Sequence, residues 1–288
     1  MESKIISLLP IDRKEALIPI GDDCGELLWP ASSLLASTDM IVDGEHFKSA
    51  SHSPEQIAHK AMGVNLSDVS AMAGTPKAVL LSMAIQRQLP DFAPRFLKEF
   101  LKICDQKGIV LLGGDTNFTD SATTLSVTIL ASPHPGGSIR RDGARAGNRI
   151  FVTGKLGGSL ASGRHLSPPD RSKLAHQLAD TGFLTSMIDI SDGLATDLRH
   201  ILVQSHCGAE IFTSKIPLHE GVHDVEQALT DGEDFELLFT AQVPEGSKAM
   251  ETLGAIEIGI ITNTPHLFEL ISDKGEKEVC SWKGYEHQ

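Results

Sequence analysis

Four times along this chain a short apolar run meets an acidic cluster that also carries glycine, serine or threonine. Ile18-Pro19-Ile20 leads into Gly21-Asp22-Asp23, Leu34-Leu35-Ala36 into Ser37-Thr38-Asp39, and Ile109-Val110-Leu111-Leu112 into Gly113-Gly114-Asp115-Thr116. The fourth cluster, Asp189-Ile190-Ser191-Asp192-Gly193, stands between a short apolar segment and a helix-like run. A single Asp-Gly turn is ordinary punctuation, but carboxylates repeated at the ends of predicted strands point to a shared purpose. Oxygen donors of this kind, with Ser37 and Thr38 among them, suit magnesium rather than zinc. Several magnesium ions in an acidic protein suggest a polyphosphate substrate, because such metals bridge carboxylate to phosphate.

Between the clusters the hydrophobic period alternates. Strands are predicted at Leu34–Ala36, Ala78–Ile85, Ile109–Leu112 and Thr123–Ala131, and helices at Pro54–Ala73 and Asp91–Gln106. The turn-rich stretch Ser132-Pro133-His134-Pro135-Gly136-Gly137, followed by basic Arg140 to Arg145, reads as a linker. Strand Arg149–Thr153 then opens a second half. It continues with helices near Pro169–Ala179 and Leu194–Ser205, strands near Ala209–Thr213, Phe235–Thr240 and Ile256–Ile261, and a helix between the last two. The expected class is α/β in two domains, 1–136 and 137–288, consistent with a length of 288 residues.

The helix Pro54–Ala73 has the best-marked start. Ser53 can cap it, Pro54 suits its first position, Glu55 complements the dipole and Gly74 can end it. On a wheel of about 100° per residue, Ile57, Ala61, Val64 and Met72 form one stripe, and Asp68 falls about 20° from Ile57, inside it. A carboxylate on a buried face is costly unless satisfied, so Asp68 is expected to hold a metal or to partner a buried Arg or Lys.

Lys+Arg 25 against Asp+Glu 38 gives a net charge of −13, a field that repels nucleic acid and anionic membranes. Neither is an expected partner. Cys24, Cys104, Cys207 and Cys280 are scattered without a C-x-x-C pair, which fits a reducing cytoplasm rather than a disulfide scaffold or zinc ribbon. The apolar stretch Ile5 to Leu9, cut off by Pro10 and Asp12, is too short for a signal sequence. Ala78 to Ile85 falls far below a membrane span.

Three named motifs can be weighed. A P-loop is rejected, since Gly154-Lys155 is followed by Leu156 and its first glycine position is Arg149. The Asp189 cluster fails the EF-hand spacing. His219-Glu220-Gly221-Val222-His223 does match H-E-x-x-H, a zinc-hydrolase pattern that requires a helix, although Pro217 and Gly221 disfavour one.

With these clusters in view, the chain resembles the thiamine-monophosphate kinase family, in the superfamily of aminoimidazole ribonucleotide synthetase and selenophosphate synthetase. The resemblance runs nearly end to end through Gly21-Asp22-Asp23-Cys24, Ser37-Thr38-Asp39-Met40 to Gly44-Glu45-His46-Phe47, and Val64-Asn65-Leu66-Ser67-Asp68. It continues through Gly113-Gly114-Asp115-Thr116, Asp189-Ile190-Ser191-Asp192-Gly193-Leu194, Gly232-Glu233-Asp234-Phe235-Glu236-Leu237-Leu238 and Trp282-Lys283-Gly284-Tyr285. The His46 and Trp282 segments separate this family from its superfamily relatives.

The resemblance implies a two-domain aminoimidazole ribonucleotide synthetase-like fold with mixed sheets and flanking helices, the first domain carrying metal and ATP sites and the dimer contact. It implies an ATP-dependent kinase, a homodimer, forming thiamine diphosphate from thiamine monophosphate with several Mg2+. By the family pattern Asp23, Ser37, Thr38, Asp39, Asp68, Asp115, Asp189 and Asp192 hold magnesium. Gly114, Asp115, Arg141 and Ser191 meet ATP, and His46, Glu233 and Trp282 meet the thiamine phosphate. Asp22 beside Asp23, and Arg140 beside Arg141, leave the choice within each pair open. Asp231 stands where the family usually has a second glycine, so the turn there must suit an aspartate, and the stretch between Gly158 and Met187 is short for the family. Another ATP-dependent enzyme of the superfamily, a silent nucleotide-binding protein and the zinc hydrolase are the alternative readings.

Overall fold

The computed structural model describes residues 16–18, 25–29 and 32–284 of the chain, with side chains from 33 onward. Gly21, Asp22, Asp23, Cys24 and Tyr285 lie outside the described residues. Two mixed sheets organise the rest. The first has the order β1 (Ala16–Ile18), β2 (Gly25–Trp29), β3 (Ser32–Val42), β6 (Thr124–Ser132), β4 (Thr75–Gln86), β5 (Val110–Thr119). The second runs β13 (Lys277–Val279), β12 (Phe268–Ile271), β9 (Gly208–Phe212), β11 (Ile256–Thr262), β7 (Arg149–Val152), β10 (Leu237–Ala241), β8 (Leu184–Asp189). Only the β4–β5 and β9–β12 pairs among them are parallel.

Helix α1 (Pro54–Ala71) begins as its sequence requires. Ser53 is extended (φ −72°, ψ 154°), its hydroxyl accepts from the Gln56 amide at 3.2 Å, and the Gln56 side chain accepts from the Ser53 amide at 2.9 Å. Its end differs from expectation: Ala73, not Gly74, takes the left-handed conformation (φ 53°). Gly74 is needed for space, since a Cβ there would stand 2.8 Å from Leu35 Cδ1. The single apolar stripe is also corrected. Ile57, Ala58, Lys60, Ala61, Met62, Val64, Leu66 and Val69 are all buried, because α1 touches β3 and β6 on one side and β8 and helix α4 (Ser172–Asp180) on the other.

Helix α2 (Phe92–Lys107) packs beside α1, and the one-turn helix α3 (Ser159–Ser162) follows β7. Phe92, Phe96 and Phe100 recur every four residues, as a helical stripe must, and stack with ring centroids 5.8 and 5.6 Å apart. Gly108, left-handed at φ 66°, ends the helix. In the second half Phe151 and Phe239, directly opposite on β7 and β10, stack at 5.2 Å in a cluster that Ala71 and Ala73 join.

Two acidic clusters predicted at strand ends lie inside strands. Ser37-Thr38-Asp39 sits within β3, whose ladder to β6 is unbroken from Leu35 to Val42, and Gly113-Gly114-Asp115-Thr116 sits within β5. Backbone pairing rather than apolar content sets these strands' lengths. Alternation then divides the clusters between two faces. Thr38, Met40, Leu80, Ser82 and Asp115 belong to one exposed face, while Leu35, Ile41 and Leu81 belong to the buried core.

At the β4–β5 register irregularity a Cβ on Gly114 would stand 1.7 Å from the Leu81 carbonyl oxygen, whereas one on Gly113 would meet nothing within 4 Å. Gly114→Ala should therefore lower the unfolding free energy by about 1–3 kcal/mol, and Gly113→Ala should stay within about 0.5 kcal/mol of wild type. Urea titration of the two variants checks the contrast.

Candidate active site

One cavity of about 520 Å³ gathers elements from both sheets. β3 supplies Asp39, the following loop Glu45 and His46, and α1 supplies Lys60, Val64 and Asp68. Asp189 enters from the end of β8, Ser191 and Asp192 from the loop after it, and Gly232, Glu233 and Phe235 from the segment before β10. Among these lining residues the carboxylates of Asp39, Glu45, Asp68, Asp189, Asp192 and Glu233 face one ammonium, that of Lys60.

Asp39, Asp68, Asp189 and Asp192 are held by neighbours through side chain or backbone amide. Ser37 donates its hydroxyl to Asp68. The Asp39 amide donates to Asn65 at 3.3 Å, and Asn65 is itself fixed to the Ala61 carbonyl at 3.0 Å. Asp189, only 3% exposed, accepts from Ser67 at 2.6 Å, a contact that ties α1 to the second sheet. The Asp192 amide donates to Asp197 at 3.1 Å at the head of helix α5 (Leu194–Gln204). Burial, with Asp192 and Asp189 adding repulsion, pushes the Asp197 carboxyl well above its ordinary range. Asp192, Asp197 and His200 offer ligand atoms within 4.8 Å of one another.

The 189–193 and 231–236 segments run against each other. Glu233 donates its amide to the Ser191 carbonyl at 2.7 Å, Phe235 to Ile190 at 2.8 Å, and Ile190 to Glu236 at 2.8 Å. A Cβ on Gly232 would stand 2.5 Å from the Ser191 carbonyl oxygen, so only glycine permits this approach. Asp231, the departure from the family pattern, adopts an ordinary extended conformation (φ −68°, ψ 128°) and accepts from the Gly158 amide at 2.8 Å. The left-handed residues are Glu233 (φ 64°) and Phe235 (φ 51°).

Asp234 and Glu236 of the same motif turn to structural duty. Asp234 accepts from Gly157 at 2.7 Å and from Arg164 at 3.2 Å, and burial pushes its carboxyl up to about 6. Glu236 pairs with Arg171 and accepts from Thr153 at 2.6 Å.

The structure therefore brings Asp39, Asp68, Asp189, Asp192, Ser191, His46 and Glu233 to one cavity, with Ser37 behind Asp68. It does not place Thr38, Gly114, Asp115, Arg141 or Trp282 on that lining. Thr38 and Asp115 belong to the exposed sheet face, bonded to Thr128 at 3.0 Å and to the Asn117 side chain at 2.8 Å. Arg141 lies in a turn at Arg141–Gly143, close enough for its charge to act on Asp197. Trp282 is 38% exposed; its carbonyl accepts from Arg199, and Gly284 donates to Thr196 at 2.8 Å, so this segment runs beside α5.

The zinc-hydrolase reading is overturned. His219 to His223 forms a turn around Gly221 at φ 84°, not a helix, because Pro217 and Gly221 interrupt one, and the two histidines form no metal-ligand cluster among the described residues. Sequence reasoning missed Lys60 and Asp197. Lys60 lies about 60° from Ile57 on the α1 wheel, at the margin of the stripe that holds Asp68, a signal that could have marked it. Asp197 in a first helical turn looks like an ordinary dipole complement.

The chain's residues 21–132 match the family model for AIR synthase related protein, N-terminal domain. The thiamine-monophosphate kinase of Rhodopirellula baltica is 36% identical, over 83% of this chain and 80% of that protein. That of Escherichia coli K12 is 34% identical over 96% and 93%. A solved structure of AaThiL complexed with AMPPCP and TMP matches with a TM-score of 0.80 at 29% identity, covering 98% of this chain and 95% of that one. Two mixed sheets closing on an acidic cavity thus define an α/β enzyme of the AIR synthase-like class. Within it, the chain belongs to the thiamine-monophosphate kinase family and is a kinase.

Near the cavity, His165 is 5% exposed, and burial pushes its imidazole down to about 4, with the Lys60 and His52 charges in the same direction. Between pH 4 and 6.5 the unfolded chain binds the proton that the folded chain refuses, so this contribution grows as pH rises through that window and is complete above it. The unfolding free energy of wild type minus that of His165→Gln should increase by about 2 kcal/mol from pH 4 to 7, measured by urea titration at each pH.

Proposed function

We propose that this kinase transfers the γ-phosphoryl group of ATP directly, in line, onto the phosphate of thiamine monophosphate, giving thiamine diphosphate, with several Mg2+ ions. The observation that carries the reading is the convergence of Asp39, Asp68, Asp189 and Asp192 from both sheets on one cavity. Its substrates are anions, and a lining this rich in carboxylate repels them unless cations intervene. The donor set, carboxylates with the Ser37 hydroxyl adjacent, is the all-oxygen kind that magnesium takes. Asp39, Asp68, Asp189 and Asp192 would hold the ions, together with Asp23, Thr38 and Asp115 by family pattern. Bound there, magnesium would supply the positive charge that offsets the phosphates.

The chain's own groups orient. The attacking phosphate oxygen is already ionised at neutral pH, so no general base is needed and alignment of two anions is the main task. His46 accepts the Val42 amide at Nδ1 (3.2 Å), so the neutral ring carries its hydrogen on Nε2 and can donate to a phosphate oxygen. Ser191 offers a hydroxyl at the acidic loop. Gly114, Asp115 and Arg141 are assigned to ATP, and Glu233 and Trp282 to the thiamine rings, where a thiazolium cation favours a carboxylate and an aromatic face.

The working unit in this reading is a homodimer of chains with domains at 1–136 and 137–288. Its support is the exposed face of the first sheet, with Met40 and Leu80 57% and 40% exposed, and its edge strand, where Leu112 is 60% exposed. No helix among the described residues is long and apolar enough to cross a membrane. A cytoplasmic setting accords with Cys104, Cys207 and Cys280, all buried and unbridged.

Purified protein should form thiamine diphosphate from thiamine monophosphate and ATP only with magnesium. Asp68→Asn should reduce that rate by about 100-fold or more while leaving the thermal transition in place; absence of product from folded wild type overturns the reading. Light scattering should give twice the chain mass, and Leu80→Glu combined with Leu112→Glu should return it to the mass of one chain.

A further inference from the structure

Lys60 has no part in the reading above, and its surroundings are unusual. Its side chain is 0% exposed, on a helix buried between two sheets. A buried ammonium persists only when its charge and its hydrogens are both answered. All three N–H groups are: one reaches the His46 carbonyl at 2.6 Å, the others Glu233 Oε1 and Oε2 at 2.7 and 2.5 Å. No donor remains for a phosphate, so Lys60 does not serve as a direct phosphate ligand in this arrangement.

Its partners are informative. The carbonyl belongs to the residue assigned to the substrate phosphate, in the first half of the chain, and the carboxylate to the residue assigned to the thiamine rings, in the second. Glu233 is held in a left-handed conformation (φ 64°) that side chains rarely adopt, pinned by its amide on Ser191 and by Ser159, which donates to its carbonyl at 2.6 Å. The backbone is thus bent in the way that aims this carboxylate at α1. With 19% of its side chain exposed, and one hydrogen bond from Lys60 on each oxygen, Glu233 keeps a further acceptor site per oxygen. Burial pulls the Lys60 ammonium below its usual range while Glu233 pushes it back up.

We propose that Lys60 is a positioning residue for substrate recognition: anchored on the His46 carbonyl, it fixes the Glu233 carboxylate as an oriented acceptor for the organic half of thiamine monophosphate. The inference rests on the substrate reading given above. It also changes the part Glu233 plays. With its charge balanced by Lys60, Glu233 acts as an oriented hydrogen-bond acceptor more than as a free counter-ion for the thiazolium.

Steady-state kinetics on the full-length protein, with calorimetric titration of thiamine monophosphate, tests this. Lys60→Met should raise KM and Kd for thiamine monophosphate about tenfold or more, leave kcat and the KM for ATP within about twofold, and be partly rescued in Lys60→Arg. In a Glu233→Gln background the same Lys60→Met change should add nothing further, because its effect passes through Glu233. A folded Lys60→Met with wild-type or lowered KM overturns the proposal, as does an additive effect in the double variant. Should Lys60→Met alone fail to show a cooperative thermal transition, the double variant, which leaves no unpaired charge, decides by comparison with Glu233→Gln: equal affinities support the proposal and a further loss overturns it. Wild type that makes no thiamine diphosphate overturns the substrate reading itself, whereas an active wild type with an indifferent Lys60→Met overturns only the role of Lys60.

Discussion

Helix α1 is buried between two sheets and carries both an ammonium and a carboxylate into the space between them. Burying either charge unsatisfied is expensive, and the surrounding structure is arranged to satisfy both. Lys60 draws in Glu233 from the second half, Asp68 takes the Ser37 hydroxyl from the first, and Ser67 between them reaches Asp189. Three polar residues on one helix therefore lock the strand β3, the acidic end of β8 and the segment before β10 into register. The apolar residues of α1 hold the two layers together, and the polar ones decide how they are oriented.

That arrangement explains why the cavity is electrostatically lopsided. A chain that gathers Asp39, Asp68, Asp189 and Asp192 around one space holds them with fixed neighbours: Ser67 and Ser37 donate to Asp189 and Asp68, and the Asn65 side chain accepts the Asp39 amide. Asp197 beneath the Asp192 amide extends this polar support into α5. In the proposed reading cations complete the site, which is the usual division of labour in phosphoryl transfer: the protein positions, and charge is neutralised by what it binds.

Much of the fold was legible from period and punctuation. Ser53-Pro54 marked the start of α1 to the residue, and the alternation of strand and helix gave the α/β class, because these are local preferences of backbone and side chain. The three-residue strand β13 was too short to register, and the boundaries of β3 and β5 were misplaced because strand length there is set by ladder partners distant in sequence. The same limit applies to the site. Asp68 stood out because one helix wheel exposes the conflict, whereas the importance of Lys60 depends on a glutamate 173 residues away. Thr38 and Asp115 belong by pattern with the other acidic residues, yet strand alternation turns them to the opposite face, which no motif could reveal.

The order of the first sheet also governs how this chain comes into being. β6 lies between β3 and β4, so the strand that completes their pairing is synthesised after both, and β3 waits more than 80 residues for its partner. A nascent chain that has not yet emerged past Ser132 presents two central strands with open edges, and α1 still lacks its cover from β8 and α4. Open edges and an uncovered apolar helix are the features that draw chains into aggregates. The same interleaving that orders the finished sheet leaves the half-made one with edges that only the arrival of β6 can close.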